Sequence, residues 1–386
     1  MLTAPTLPER FYFVAGEASG DLLGAEVVTA LREAGSAAPI RATGGTALRA
    51  VADISAIDIS PLSVLGLWEG VRAYGDVTRL AKATAEDILS FGPSQVVLVD
   101  SWGFCLRVAR NVRAANPSIR LVKLIGPQVW ATRAGRAKTL ARTVDQLMCI
   151  HDFEVPYYAP FDLATRVIGH PALSRAAPAN GAAFRDAHGV SADDDLILVL
   201  PGSRVSEIER VAPAFMDAAC QLWLTDKTRR VVVAPAAGII DVFRQRFSDL
   251  PDAWTVLEDE RQRFGAMAAA DLALACSGTV TSEVAVQGTA LVTGYRTGAV
   301  TWTLVKHLLM KADYITLLNM AAGEMIVPEL LQSELTAQAL TEMGERILRD
   351  HALRAGQIAA QHAALAKMGY GGEPAARLAA KILLEQ

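Results

Sequence analysis

The strongest constraint on the fold is a repeated change of period along the chain, in which short apolar runs ended by glycine or charged residues alternate with helical patterns. Phe11–Ala15 gives way to Gly16-Glu17-Ala18-Ser19-Gly20-Asp21 and a helix predicted from about Leu22 to Ala34. Ile40–Thr43 ends in Gly44-Gly45, Gln95–Val99 in Asp100, Leu121–Ile125 in Gly126-Pro127, Gln146–Ile150 in His151-Asp152, and Arg166–Ile168 in Gly169-His170-Pro171. Uninterrupted apolar runs suit strands buried on both faces, and strands alternating with helices build βαβ units in a parallel sheet. Residues 172–192, rich in Ala, Asn and Gly, read as a linker with a short helix. A second series predicts strands at 196–200, 230–234, 254–257, 271–275 and 290–293, with mostly helix from about Thr301. The reading is α/β: two doubly wound domains in tandem with a cleft between them. Ligands of such sheets sit beyond the carboxyl ends of the strands.

The length of 386 residues suits roughly two to three domains. Hydrophobic residues make up 52%, enough for sizeable cores, and the net charge of −4 argues against general nucleic-acid binding. One tract departs from that balance. Arg107, Arg110, Arg113, Arg120, Lys123, Arg133, Arg136, Lys138 and Arg142 occur between Ser101 and Val144 with no Asp or Glu. Such a tract could hold an anionic ligand or lean on an anionic membrane; solvated helix faces explain it equally well. Cys105, Cys149, Cys220 and Cys276 lack metal-ligand and redox spacing, which suits reduced thiols in the cytoplasm. His170 has no Cys or His at ligand spacing, so no metal is expected. Residues 1–10 lack an apolar signal-peptide core, and no run is long enough to span a membrane.

Leu196–Leu200 runs directly into Pro201-Gly202-Ser203-Arg204-Val205-Ser206-Glu207. A strand that ends in Gly-Ser-Arg and opens a helix offers backbone N–H groups, a positive dipole end and a planar guanidinium, with Ser203 as the expected N-cap. A diphosphate is the natural guest; an ordinary turn with a surface Arg is the competing reading. Ser277-Gly278-Thr279, with Glu283 further along, repeats the arrangement after the run ending at Cys276. Glu283 could accept hydrogen bonds from ribose hydroxyls, or merely complement a helix dipole. The first loop is not the three-glycine dinucleotide fingerprint. Gly16, Glu17, Ser19, Gly20 and Asp21 suit hydroxyl groups, or a tight turn capped by Ser19 or Asp21. Asp100, at the end of a buried strand, could act as general base toward a hydroxyl, or could cap the helix beginning near Trp102. Two stretches, 62–68 and 302–311, mix apolar and polar residues in a way that fits a membrane interface as well as a core.

These segments carry a resemblance. Val14-Ala15-Gly16-Glu17-Ala18-Ser19-Gly20-Asp21, Gln128-Val129-Trp130-Ala131, Ile168-Gly169-His170-Pro171, Leu200-Pro201-Gly202-Ser203-Arg204, Ser277-Gly278-Thr279 and Gly294-Tyr295-Arg296 follow one another in the order seen in lipid-A-disaccharide synthases. The chain resembles that family over nearly its whole length. The resemblance implies an inverting glycosyltransferase with two Rossmann-like domains facing a cleft, the GT-B type. It would join UDP-2,3-diacylglucosamine to 2,3-diacylglucosamine 1-phosphate (lipid X) and release UDP, with no cofactor. The family works peripherally on the inner face of the cytoplasmic membrane, and a homodimer is left open. Residues 11–171 would form the acceptor and membrane-side domain, 172–350 the UDP-sugar domain, and 351–386 C-terminal helices that could pack back on the first. By resemblance, Asp100 is the base for the acceptor hydroxyl and Arg204 stabilises the leaving UDP. Gly202, Ser203, Ser277, Gly278, Thr279, Glu283 and Asn319 would hold the UDP-sugar. The first loop, Trp130 and Arg133 would lie on the acceptor side, and Asn319, Gly323, Glu329 and Gln332 match a further family segment.

After the aspartate and one further residue the family usually reads Pro-Asp-Phe-Asn, where this chain has Trp102-Gly103-Phe104-Cys105 after Ser101. It usually has Trp-Ala-Trp-Arg where Trp130-Ala131-Thr132-Arg133 stands here. Those departures keep two alternatives in play: a UDP-sugar enzyme of the same fold with another lipid acceptor, and a non-catalytic nucleotide-sugar-binding relative.

Overall fold

The computed structural model describes residues 9–59, 70–130, 133–298 and 313–385. The stretches 62–68 and 302–311, and Ala131, lie outside the described residues. The chain divides into two compact units, Met1–Pro171 with Gly371–Gln386, and Ala172–Tyr370.

The first unit is built on a parallel sheet of seven strands. They are β1 (Phe11–Ala15), β2 (Ile40–Gly44), β3 (Ile54–Asp58), β4 (Gln95–Val99), β5 (Arg120–Leu124), β6 (Gln146–Cys149) and β7 (Ala164–Val167). Their spatial order is β3-β2-β1-β4-β5-β6-β7, so the direction of winding reverses between β1 and β4. In parallel sheets that reversal opens a crevice at the carboxyl ends of the two central strands. Every residue of β1 and β4 is buried, as their unbroken apolar runs require. One core packs Phe11, Phe13 and Val97 against Ala379 and Leu383 of the C-terminal helix Ala375–Leu384. The other packs Tyr12 and Leu98 against Phe104 and Val108 of the helix Trp102–Ala115.

The sequence reading misses β3, a half-exposed edge strand with no apolar run to announce it. The first helix spans Ala18–Glu33 with Glu17 at its N-cap, so Ser19, Gly20 and Asp21 lie inside its first turn rather than in a loop.

The second unit carries a six-stranded parallel sheet. Its strands are β8 (Leu196–Leu200), β9 (Arg230–Val233), β10 (Thr255–Val256), β11 (Leu272–Cys276), β12 (Leu291–Tyr295) and β13 (Glu329–Leu331), in the order β10-β9-β8-β11-β12-β13. Here the winding reverses between β8 and β11, the two strands that precede the Gly-Ser-Arg and Ser-Gly-Thr turns. The region after Thr301 is not wholly helical: β13 pairs in parallel with β12. Its three residues are too short for a period-2 pattern to show in the sequence. The helix His351–Lys367 belongs to this second unit, through Ala364 and Leu365, whereas Ala375–Leu384 belongs to the first.

Candidate active site

The β8–β11 reversal holds a cavity of about 280 Å³. Gly202, Ser203, Arg204, Glu207, Arg263, Ser277, Gly278, Thr279 and Glu283 line it. The two turns, expected to share one diphosphate, line the same cavity. Gly278 is the N-cap of the helix Thr279–Val286 and has no side chain to satisfy the first amides; the Thr281 N–H donates to the Gly278 carbonyl at 3.1 Å, which leaves those of Thr279 and Val280 for a ligand.

The Gly-Ser-Arg wall works differently from expectation. Ser203 is not the N-cap; Arg204 is, and the short helix runs Val205–Arg210. The buried Glu207 carboxylate turns back on the loop. Its Oε2 accepts from the Ser203 N–H at 2.7 Å and the Arg204 N–H at 3.2 Å, and its Oε1 accepts from the Arg204 guanidinium at 3.0 Å. An internal carboxylate thus takes the amides that a phosphate was expected to use. Gly202 is required here twice over: its φ is +123°, and a Cβ would stand 2.6 Å from Glu207. The Arg204 side chain is 72% exposed, so most of its five donors remain available to a ligand.

Arg263, which the sequence reading overlooks, brings a second guanidinium to this cavity. Its side chain is 20% exposed, it reaches Glu260 only at 3.9 Å, and its Nε is buried without a hydrogen-bond partner among the described residues. Burial raises the Glu283 carboxyl, and the Arg263 charge opposes that rise. No motif flags Arg263, because it lies on the helix Arg263–Ala269 outside both glycine turns.

At the β1–β4 reversal the chain bends sharply. Asp100 and Ser101 have φ of +44° and +38°, a left-handed region that costs a non-glycine residue roughly 1–3 kcal/mol. Ser101, not Asp100, is the N-cap of Trp102–Ala115. The capping explanation for Asp100 is thereby removed. Gly16 is buried against this bend, where a Cβ would fall 2.5 Å from Ser101 Oγ, and a Cβ on Gly20 would lie 3.5 Å from that of Asp100. Glu17 and Ser19 are exposed beside them. Trp130 is buried and meets Phe153 edge-to-face, and Arg133 is exposed with φ of +55°.

Several expected site residues are spent inside the protein. Asp21 caps the helix Thr46–Val51, accepting from Gly45 N at 2.6 Å, Ala47 N at 2.9 Å and Leu48 N at 3.2 Å. Asn319 is fully buried. Its amide donates to the Val327 carbonyl and Glu329, and accepts from the Ile326 and Val327 N–H groups, at 2.8–2.9 Å. All four of its hydrogen-bonding positions are filled, so it braces the approach to β13 and cannot also contact a sugar nucleotide. Part of the basic tract is engaged in the same way, while Arg110, Arg133, Lys138 and Arg142 stay exposed. Arg113 pairs with Asp145 just beyond the tract, Arg120 bonds Gln146, Arg136 lies over the Trp102 ring, and Lys123 is buried.

One further cluster sits at the ends of β6 and β7. Glu154 is 3% exposed and accepts from the Ile150 and His151 N–H groups through Oε1. Burial pushes its carboxyl up to about 7, against those two bonds. Burial likewise pushes His151 down to about 3, helped by His170. The signs are opposite. Glu154 keeps its proton in the fold above the ordinary carboxylate range, so stability is lost as pH rises from that range through 7. His151 stays neutral, so its contribution is lost as pH falls below the ordinary imidazole range. Glu154→Gln removes only the first effect. Its stability relative to the native chain is expected to increase by about 2–3 kcal/mol between pH 4.5 and pH 7.5. Urea unfolding followed by tryptophan fluorescence reads this, and parallel profiles for the two proteins would contradict it.

Known proteins resemble this chain along nearly its whole length. The family described as lipid-A-disaccharide synthetase matches residues 11–382. Lipid-A-disaccharide synthase of Paramagnetospirillum magneticum is 34% identical over 377 residues, covering 97% of this chain and 96% of the relative. That of Solibacter usitatus is 36% identical over 340 residues, covering 87% and 86%. Among solved structures, a UDP-GlcNAc 2-epimerase from Neisseria meningitidis bound to UDP-GlcNAc aligns with a TM-score of 0.61 at 11% identity, over 98% of this chain and all of the other. MurG of Acinetobacter baumannii aligns at 0.58 and 17% identity, over 98% of this chain and all of the other. At those identities the structural likeness establishes the two-domain GT-B type of fold and nothing finer.

Proposed function

Because the chain belongs to the lipid-A-disaccharide synthetase family and is a glycosyltransferase of lipid A disaccharide synthesis, we propose that it joins UDP-2,3-diacylglucosamine to 2,3-diacylglucosamine 1-phosphate with inversion. The observation that carries the donor half is the cavity of the second unit, where two guanidinium groups and one uncapped helix start converge. Arg204 meets the charge that develops on the departing diphosphate, and the Thr279–Val286 helix start holds its oxygens. Glu283 accepts from the ribose hydroxyls. Glu207 keeps the Pro201–Arg204 turn fixed, so little reorganisation accompanies charge development.

In the acceptor half, Asp100 takes the proton from the attacking hydroxyl. The hydroxyl oxygen bonds to the anomeric carbon as the bond to UDP breaks, and the proton ends on the carboxylate. UDP leaves as a stable anion and needs no general acid, unlike the alcohol released in glycoside hydrolysis. Among the described residues no helix is long and apolar enough to cross a membrane. Acylated substrates nonetheless demand access to lipid, and peripheral work on the inner face of the cytoplasmic membrane supplies it.

The test is UDP release measured with and without diacylated glucosamine 1-phosphate. Release that depends on this acceptor supports the proposal. Turnover with another lipid acceptor, or UDP binding without turnover, would transfer support to one of the two alternatives. Arg263→Ala is expected to weaken UDP binding by roughly tenfold, the cost of a charge-assisted hydrogen bond, with a smaller change in kcat. Calorimetric titration with UDP measures it, and unchanged affinity would take Arg263 out of the site.

A further inference from the structure

Lys123, on β5, is 3% exposed, and its ammonium group reaches no carboxylate among its hydrogen bonds. It donates instead to main-chain carbonyls: Asp100 at 2.5 Å, Leu98 at 3.2 Å and Leu124 at 3.4 Å. Taking a lysine charge out of water costs several kcal/mol unless the surroundings compensate. Burial drives its proton affinity down, while the Asp100 and Glu17 carboxylates favour the charged form. A packed apolar side chain on β5 would avoid that cost, so the placement of the ammonium needs a reason.

The reason lies in the left-handed bend. In regular strand geometry the Asp100 carbonyl would continue the β4–β5 ladder. The Asp100 N–H still does so, donating to Leu124 O at 2.9 Å. With φ at +44° the carbonyl instead turns toward Lys123 and accepts from its buried ammonium. Both main-chain groups of Asp100 are therefore tied to β5, one to its backbone and the other to its lysine. Backbone dihedrals set where a short side chain points. The same two bonds thus fix the Cα–Cβ direction from which the carboxylate is presented.

We propose that Lys123 is a positioning residue for the transfer reaction: it holds the strained Asp100 bend, and through it the direction of the Asp100 carboxylate. The proposal rests on the reading of Asp100 as the acceptor base. A misplacement of about 1 Å in such a group can cost on the order of 100-fold in rate. Lys123→Met, which fills similar space without a donor or a charge, is expected to lower kcat by about 10–100-fold with the KM for the UDP-sugar unchanged within about twofold.

A double-mutant cycle with Asp100→Asn separates positioning from general damage. If Lys123 acts through the carboxylate, adding Lys123→Met to Asp100→Asn lowers the residual rate no further. Multiplying losses, or a Lys123→Met enzyme with native kcat beside an inactive Asp100→Asn, would overturn the proposal. Native turnover in Asp100→Asn alone would instead overturn the base reading on which it stands. If thermal melting shows that Lys123→Met does not fold, Lys123→Gln goes through the same cycle with the same expected and overturning results.

Discussion

Asp100→Asn is expected to lower acceptor-dependent UDP release by about 10²–10⁴-fold, the usual contribution of a positioned general base, while UDP affinity stays near the native value. The substitution keeps the shape of the side chain and leaves the main-chain bonds to Leu124 O and from Lys123 Nζ in place. The bend therefore persists, and only the ability to accept a proton is lost. On the proposed reading UDP affinity is set by the second unit, whose cavity contains no residue of the first. Calorimetry with UDP and steady-state UDP release, run on the same preparations, give the two readouts. Turnover at the native rate would remove Asp100 as base and leave the hydroxyl to be activated elsewhere.

That Asp100 stood out in the sequence at all follows from the sheet. Four consecutive apolar residues before it made β4 legible, and a carboxylate at the end of a fully buried strand either faces the crevice or caps the helix that follows. The same logic located the Gly202–Arg204 and Ser277–Thr279 turns, since an apolar run that stops at glycine marks both the end of a central strand and the start of a helix. What failed was the allocation of hydrogen bonds. Asp21, Glu207 and Asn319 are polar residues in or beside motifs, and each satisfies backbone groups inside its own unit instead of a ligand. Sequence spacing shows that a polar group is near a site. It does not show which buried amide would be orphaned without it.

Residues that the chain pattern could not reveal were missed for a related reason. Lys123 reads as one cation in a basic tract, yet it is buried because its strand is central, flanked by β4 and β6. Arg263 begins a short helix after a stretch with no apolar signature, and only the pairing of β8 with β11 brings the walls of its cavity together. The edge strands β3 and β13 were illegible because their burial is partial or their length minimal. Central strands write their position into composition; edges and braces acquire theirs from neighbours distant in sequence.

Arg204→Ala is expected to slow transfer by about 10²–10³-fold, the loss seen when a donor aimed at developing charge is removed, and to weaken UDP binding as well. The argument depends on the turn surviving the substitution. Glu207 still accepts from the amides of residues 203 and 204, and those two bonds do not involve the guanidinium. The alanine protein should therefore keep its melting temperature, so the loss can be assigned to charge. One further consequence follows from the geometry. One guanidinium nitrogen is engaged by Glu207 at 3.0 Å while the side chain remains largely open to solvent. A planar fork can hold Glu207 and a phosphate oxygen at once, whereas the compact lysine ammonium would have to share a single point charge between them. Arg204→Lys should accordingly restore part of the UDP affinity but little of kcat, because positive charge alone is not what the turn presents. Equal recovery of both by lysine would mean that Arg204 acts as a bulk cation. Native kinetics in the alanine protein would mean that it does not touch the diphosphate.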